Sequence, residues 1–102
     1  MDKRDIVYAP RAERDLLKLS KKDALSVLDD IEILEHPPWP HNKVKKLKGT
    51  DYWEIKSGDF RAIFFQQGRE AVVLRVINRR DLEKAIQRID VKALLKWMRE
   101  RE

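Results

Sequence analysis

The spacing of apolar residues changes along the chain from a helical period to a strand period and back again. The segment "DIVYAP" at 5–10 is a short β-like run, and Pro10 stands where the first turn of a helix tolerates proline. Apolar residues then recur every three or four positions, while Ser20 followed by Asp23 is typical of a capping box that begins a second helix. The pattern predicts a strand and two helices, with Leu28 of the second helix in the core between helices and sheet.

From residue 43 the apolar residues alternate as they do in strands. The preceding "HPPWPHN" contains three prolines, which end the helix and predict a stiff extended connection. After "KVKKLKG" come three strand-like runs, "YWEIK", "FRAIFFQ" and "AVVLRVIN", separated by the turns "SGD" and "QGRE". The last run is nearly continuous in β-branched residues, as a central strand covered on both faces would be. These runs predict an antiparallel meander.

Two more helical segments close the chain. "DLEKAIQRI" predicts a short helix, and "DVKALLKWMRERE" is amphipathic, with Val91, Leu94, Leu95 and Met98 on one face. This last helix either docks on its own domain or offers its apolar face to a partner. The order β-α-α-β-β-β-α, with the C-terminal helix last, predicts an α+β fold in which a helical hairpin packs on an antiparallel sheet. With 102 residues, we expect one domain spanning 1–102.

Composition narrows the choice of partner and compartment. Lys and Arg outnumber Asp and Glu by 23 to 18, and the net charge of +5 favours a polyanionic partner such as RNA, DNA or an acidic protein segment. The chain has no cysteine, which excludes disulfides and cysteine-based zinc sites and favours the cytoplasm. No apolar run approaches the roughly 20 residues of a membrane span. We therefore expect a cytoplasmic protein with no membrane contact.

Candidate chemistry lies in the cations on the predicted strands. Motifs for metals, phosphate loops and activated serines do not occur, so we expect neither metal nor cofactor. Arginine grips phosphate oxygens, and both arginine and aromatic rings stack on unpaired bases, so strand-borne cations beside aromatics predict an RNA-binding surface. The cations are Lys45, Lys46, Lys48, Lys56, Arg61, Arg75, Arg79 and Arg80, and the aromatic residues are Tyr52, Trp53, Phe60 and Phe64.

Three short segments, "KKLKG", "GDFR" and "INRR", occur in an order and at a spacing that resemble the RelE/ParE superfamily, the toxins of type II toxin–antitoxin systems. The resemblance is concentrated in Lys43–Arg80 and covers most of the chain. It implies a cognate antitoxin as partner. For ribosome-dependent members it also implies binding to the 70S ribosome and cleavage of messenger RNA there. The alternatives are a ParE-like inhibitor of DNA gyrase that cuts no RNA, or a degenerate RNA-binding module.

The resemblance also assigns roles to individual residues. Arg61 of "GDFR" matches the phosphate-contacting arginine, and Arg80 matches the second catalytic arginine, with Arg79 as a close substitute. Cleavage of this kind needs no metal, because the 2′-hydroxyl of the RNA attacks the adjacent phosphorus while cations stabilise the developing charge. Arginine stays protonated and does not serve as the base. Glu54 is the candidate base, and Arg61→Ala is expected to abolish growth inhibition without unfolding the domain.

Other positions depart from the family pattern. Potent ribosome-dependent members carry two lysines on the strand before "GDFR", where this chain has Tyr52 and Glu54, and a tyrosine near the C-terminal helix, where it has Ala85 and Ile86. His36 and His41 are further candidate bases if the proline-rich connection folds back to the site. The general base and acid, the codon preference and the role of 90–102 stay open. The expected RNA-binding residues are Lys45, Lys46, Lys48, Tyr52, Lys56 and Arg79.

Overall fold

A computed structural model describes residues 3–101, and the α+β fold predicted from the sequence is confirmed. A short strand, β2, adds to the predicted meander, and the two predicted helical segments follow the sheet as α3 and α4. No helix within the described residues combines the length and the apolar character needed to cross a membrane. The elements are β1 Asp5–Tyr8, α1 Pro10–Leu17, α2 Lys21–Ile31, a 3₁₀ turn Glu32–Glu35, β2 Val44–Lys46, β3 Trp53–Ser57, β4 Phe60–Gln67, β5 Glu70–Asn78, a 3₁₀ turn Arg79–Asp81, α3 Leu82–Gln87 and α4 Val91–Arg101.

The five strands form one sheet in the order β1-β5-β4-β3-β2. Strands β3, β4 and β5 make the predicted antiparallel meander, and β2 extends it by pairing antiparallel with β3. Strand β1 instead pairs parallel to β5, with Asp5 opposite Glu70 and Tyr8 opposite Val73. Ala71, Val73 and Val76 of β5 belong to the core on one face of the sheet, and Val72 and Leu74 belong to the core on the other. The nearly continuous apolar run of β5 is therefore covered on both faces, as predicted.

The two helices of the hairpin begin where local chemistry places them. Pro10 is the first residue of α1. Ser20 is the N-cap of α2, and its hydroxyl accepts a hydrogen bond of 3.1 Å from the backbone N–H of Asp23. A cap of this kind contributes about 1 kcal/mol. Both predicted starts are confirmed.

The sheet has an apolar core on each side. On the hairpin face, α1 and α2 cover the strands, and the buried residues are Ala12, Val27, Ile31, Leu34, Val44, Ile55, Ala62, Phe64, Ala71, Val73 and Val76. On the opposite, C-terminal face, side chains of α3 and α4 pack over Ile63, Val72 and Leu74; they are Leu82, Ala85, Ile86, Leu94 and Trp97. Helix α4 therefore docks on its own domain, although Val91 and Leu95 of its predicted apolar face are exposed.

The apolar stripe of the hairpin is narrower than the sequence predicts. Leu17 is 84% exposed and Leu25 is 53% exposed. Leu28 is only half-buried, so its assignment to the core is wrong. Val27 and Ile31, one helical turn apart, face the sheet instead. A leucine one position along the helix points about 100° away from that line, to the border of the contact.

Asp15 attaches α1 to the open edge of β5. Strand β1 has only four residues, so the second half of β5 has no strand beside it on that edge. Asp15 Oδ2 accepts hydrogen bonds from the backbone N–H of Val76 at 2.9 Å and from Arg75 Nε at 2.7 Å, and Oδ1 accepts one from Arg75 Nη2 at 3.2 Å. The carboxylate thus takes the place of a neighbouring strand at this point.

A second carboxylate fixes the hairpin to the other side of the sheet. Asp30 of α2 accepts hydrogen bonds from Lys43 Nζ at 2.7 Å and from Ser57 Oγ at 2.6 Å. Burial acts to raise the pKa of Asp30, but the hydrogen bonds from Lys43 and Ser57 outweigh it, and the pKa lies below its ordinary value of 3.8. The bonds hold the ends of β2 and β3 in place, next to the cations described below.

Candidate functional site

The strand register gathers the predicted cations at one end of the C-terminal face. Lys56 on β3, Arg61 on β4 and Ile77 on β5 lie opposite one another. Since alternate residues of a strand share a face, residues two positions along lie on the same side of the sheet. That next row consists of Lys45, Glu54, Ile63 and Arg75. Charged residues that are far apart in sequence therefore form one surface.

Arg61 is held by protein groups. Its Nη1 donates hydrogen bonds to the carbonyl oxygens of Gly58 at 3.0 Å and Phe60 at 2.9 Å. Its Nε lies 3.8 Å from Glu54 Oε1, and only 14% of the Arg61 side chain is exposed. The guanidinium is thus oriented by the turn that precedes its own strand and by a carboxylate on the neighbouring strand, and little of it faces solvent.

Glu54 is a buried carboxylate with an incomplete set of partners. It is 3% exposed and lies on β3, between β2 and β4 in the sheet. Arg61 lies 3.8 Å from Oε1, whereas Oε2 is buried and has no hydrogen-bond partner within residues 3–101. Burial of a carboxylate oxygen without a partner is costly, and such groups are enriched at functional sites. Neither its burial nor its free oxygen is evident from the alternating pattern of "YWEIK".

The end of β5 brings two more arginines to this region. The β3–β4 turn, with Gly58 at φ 57°, places Asp59 beside the chain after β5, where its carbonyl accepts a hydrogen bond of 2.8 Å from the Arg79 N–H. The Asn78 side chain accepts a hydrogen bond of 3.2 Å from the Arg80 N–H. Arg79 is exposed and lies 3.9 Å from the Asp59 carboxylate. The exposed Arg80 side chain forms no hydrogen bond or ion pair with any residue of 3–101.

The remaining predicted RNA-binding residues do not all lie on this surface. Lys45 is exposed in the row of Glu54, whereas the next residue, Lys46, is opposite Trp53 and belongs to the hairpin face. Lys48 is exposed in the turn after β2. Tyr52 is half-buried and packs with the core of the C-terminal face. The register therefore joins Lys45 and Lys56 to the Glu54–Arg61 pair and leaves Lys46 on the other side of the sheet.

The proline-rich connection does not bring its histidines to Glu54. The ring of Trp39, in the middle of this connection, lies edge-on 5.5 Å from the rings of Trp53 and Phe64. These rings belong to the hairpin face, whereas Glu54 points to the opposite face. His36 and His41 are both exposed. Within residues 3–101 there is no cluster of three or more histidine or acidic residues that would hold a metal ion.

Comparison with known proteins gives one family and a set of similar folds. The family model described as "ParE toxin of type II toxin-antitoxin system, parDE" matches residues 6–83. No curated protein sequence matches the chain significantly. The chain is similar to the RelBE2 toxin–antitoxin complex of Mycobacterium tuberculosis, with 22% identity over 76% of this chain and 99% of that chain and a TM-score of 0.65.

Two further solved structures share the fold. An archaeal RelE–RelB complex from Pyrococcus horikoshii is 27% identical over 78% of this chain and 97% of that chain, with a TM-score of 0.62. A mutant of the Escherichia coli toxin RelE in the free state is 23% identical over 86% of this chain and 99% of that chain, with a TM-score of 0.63. The predicted resemblance to RelE and ParE toxins is confirmed.

Proposed function

The chain belongs to the ParE toxin family of type II toxin–antitoxin systems, and we propose that it is a cytoplasmic toxin that cuts messenger RNA on the ribosome. The observation that carries this proposal is the pairing of a buried carboxylate with a fixed arginine, Glu54 and Arg61. Arg80 is exposed and follows by three residues Ile77, the β5 partner of Arg61. We further propose that residues 1–102 form a single toxin domain and that its partner in the cell is an antitoxin. Two similar folds are toxin–antitoxin complexes, which supports that partner.

In the proposed reaction the RNA supplies its own nucleophile. The 2′-oxygen attacks the adjacent phosphorus and loses its proton to Glu54, while the bond from phosphorus to the 5′-oxygen breaks. The 5′-oxygen takes up a proton from water, which leaves a 2′,3′-cyclic phosphate and a 5′-hydroxyl. Arg61 and Arg80 stabilise the negative charge that builds on the phosphoryl oxygens. Because Glu54 is 3% exposed, the side chains that cover it must move before a 2′-hydroxyl reaches it.

The arginine role is tested by Arg80→Ala. The Arg80 side chain is exposed and forms no hydrogen bond or ion pair within residues 3–101, so its removal should leave the stability nearly unchanged. In a purified translation reaction with one defined messenger RNA, loss of one charge-stabilising donor should slow cleavage by roughly 10²-fold or more. Arg99→Ala removes an exposed arginine from α4 and is the matched control. Cleavage by Arg80→Ala at the wild-type rate would remove Arg80 from the mechanism, and intact RNA with the wild-type protein would end the nuclease proposal.

The base role is tested by Glu54→Gln, which keeps the shape of the side chain and removes its basicity. The same cleavage reaction should slow by roughly 10²–10⁴-fold, the usual contribution of general acid–base catalysis. The wild-type products should carry 2′,3′-cyclic phosphate and 5′-hydroxyl ends. Products with 3′-hydroxyl ends would show that water, and not the 2′-oxygen, is the nucleophile.

The second candidate function is inhibition of DNA gyrase without RNA cleavage. The state of Arg61 favours this function, because its side chain is 14% exposed and its guanidinium already donates hydrogen bonds to two carbonyl oxygens of the protein. Few of its donors are therefore left to contact an RNA phosphate. Purified gyrase and supercoiling of a relaxed plasmid distinguish the two functions. Inhibition of supercoiling with messenger RNA left intact would favour the gyrase reading, and RNA cleavage with active gyrase would exclude it.

A further inference from the structure

A cavity of about 310 Å³ opens between α1 and α4, on the side of β5 away from β3. Its walls are mostly apolar and include Leu74, Leu94 and the ring of Trp97. This volume is at the lower end of the roughly 300–1,000 Å³ typical of ligand sites. It fits one or two bulky side chains better than a large cofactor.

The mouth of the cavity is positively charged. Arg11 and Arg14 of α1 line it, are exposed, and form no hydrogen bond or ion pair with any residue of 3–101. Two other charged residues of the lining are already engaged. Arg75 is bound by Asp15, and the Asp90 carboxylate accepts a hydrogen bond of 3.0 Å from the Ala93 N–H at the start of α4. Two arginines that form no ion pair within residues 3–101 thus lie at the mouth of an apolar cavity.

We propose that this groove binds an acidic segment of a partner protein, which inserts a bulky apolar side chain between α1 and α4. Carboxylates of the segment would pair with Arg11 and Arg14, while the inserted side chain would contact Leu94 and Trp97. A nucleic acid would use the arginines but has no aliphatic group to fill the apolar walls. If the toxin function proposed above holds, the partner is the antitoxin, and this identification depends on that function. The proposal that the groove binds an acidic segment does not depend on it.

The test is a selection of random twelve-residue peptides against the full chain, with the affinities of the enriched peptides measured by fluorescence anisotropy. Enriched peptides should be acidic and carry at least one large apolar residue. Arg11→Glu with Arg14→Glu should weaken them at least tenfold. Lys21→Glu with Lys22→Glu changes the net charge equally at exposed positions of α2 and should have no effect.

A second pair of variants tests the role of the cavity without changing any charge. Ala93 is exposed and lines the cavity, so Ala93→Trp should fill it and weaken the same peptides at least tenfold, whereas Ala93→Ser should not. Circular dichroism of each variant checks the fold. A single-stranded RNA of twenty nucleotides is measured in parallel, because RNA is the competing occupant.

Three results would overturn the proposal. The selection could enrich no peptides, or the enriched peptides could bind the arginine-reversal variant and Ala93→Trp as tightly as the wild type. The arginine reversals could also weaken RNA binding by as much as they weaken peptide binding. The messenger-RNA cleavage reaction keeps the two proposals apart. Reversal of Arg11 and Arg14 should leave cleavage unchanged, because these residues lie on α1, away from the Glu54–Arg61 pair. If the wild-type chain cuts no RNA, the nuclease proposal fails. The proposal that the groove binds an acidic segment is still decided by the peptide affinities.

Discussion

Removal of the Arg61 side chain should destabilise the fold as well as remove a cation from the site. At 3.8 Å, the separation of Arg61 Nε and Glu54 Oε1, two unit charges attract by roughly 4 kcal/mol at an effective dielectric constant of 20. Loss of one partner from a buried pair usually costs about 3–5 kcal/mol, because the other charge stays buried alone. Arg61 retains some solvent contact, so we expect the lower end, about 3 kcal/mol, for Arg61→Ala.

A double-mutant cycle isolates this pair. Glu54→Gln leaves Arg61 with its two carbonyl acceptors and some contact with solvent, so it should cost only about 1 kcal/mol. It also removes the buried carboxylate charge, so Arg61→Ala should be far less harmful in that background. We expect a coupling free energy of about 2 kcal/mol, within the range for residues in contact. Guanidinium unfolding followed by circular dichroism measures each variant. Arg61→Ala alone should also lower the melting temperature by roughly 4–8 °C per kcal/mol.

The result decides how toxicity assays are interpreted. The sequence suggested that Arg61→Ala abolishes growth inhibition without unfolding the chain, but the structure makes the single variant a poor test because lost activity and lost stability coincide. The variant with Glu54→Gln and Arg61→Ala is the better folded control. The reasoning fails if Arg61→Ala unfolds at the wild-type denaturant concentration, or if the coupling is below about 0.5 kcal/mol, the usual limit for independent sites.

Three further predictions concern the fold. Asp15→Ala should cost about 3 kcal/mol in chemical denaturation, because it leaves a buried arginine and a strand N–H without their acceptor; unchanged stability would contradict the role of this carboxylate at the edge of β5. Ile31→Asp should prevent folding because Ile31 is 0% exposed, and circular dichroism would show the loss of structure. Leu28 is only half-buried, so Leu28→Asp should yield folded protein of lower stability. Equal effects of the two changes would refute the core assignment. The pKa of Asp30 and that of Glu70 are lowered in the folded state, so both carboxylates stabilise the fold above about pH 5, and this stabilisation is lost as the pH falls through their folded-state pKa values. The free energy of unfolding, measured at pH 7 and pH 3, should therefore fall by less in Asp30→Asn than in the wild type.

Most elements were predictable because their signals are local. Pro10 and Ser20 mark helix starts through the chemistry of single residues, and the alternating strands are separated by turns with glycine at positive φ, such as Gly58. The grouping of Arg61 with Lys56 follows from a hairpin of adjacent strands, so it too could be expected. Short-range patterns thus carry the meander and the core of the candidate site.

The features that the sequence did not reveal depend on contacts between distant segments. Glu54 alternates with apolar neighbours as a solvent-facing residue would, yet it is 3% exposed and lies opposite Ile63, over which α3 and α4 pack. Asp15 looks like an ordinary polar helix position until α1 is placed against β5. Leu17 has the right spacing for a core residue but is the last residue of its helix and is exposed.

The parallel pairing of β1 with β5 has a consequence for synthesis of the protein. Strand β1 leaves the ribosome before the other four strands of the sheet, but its strand partner, Glu70–Val73, is translated only after β2, β3 and β4. Contacts between such distant residues slow folding, because a long loop must close before they form. The nascent chain can therefore build β2, β3 and β4 while its N-terminal strand is still unpaired. The sheet is therefore complete only after β5, its last strand in chain order, has been translated.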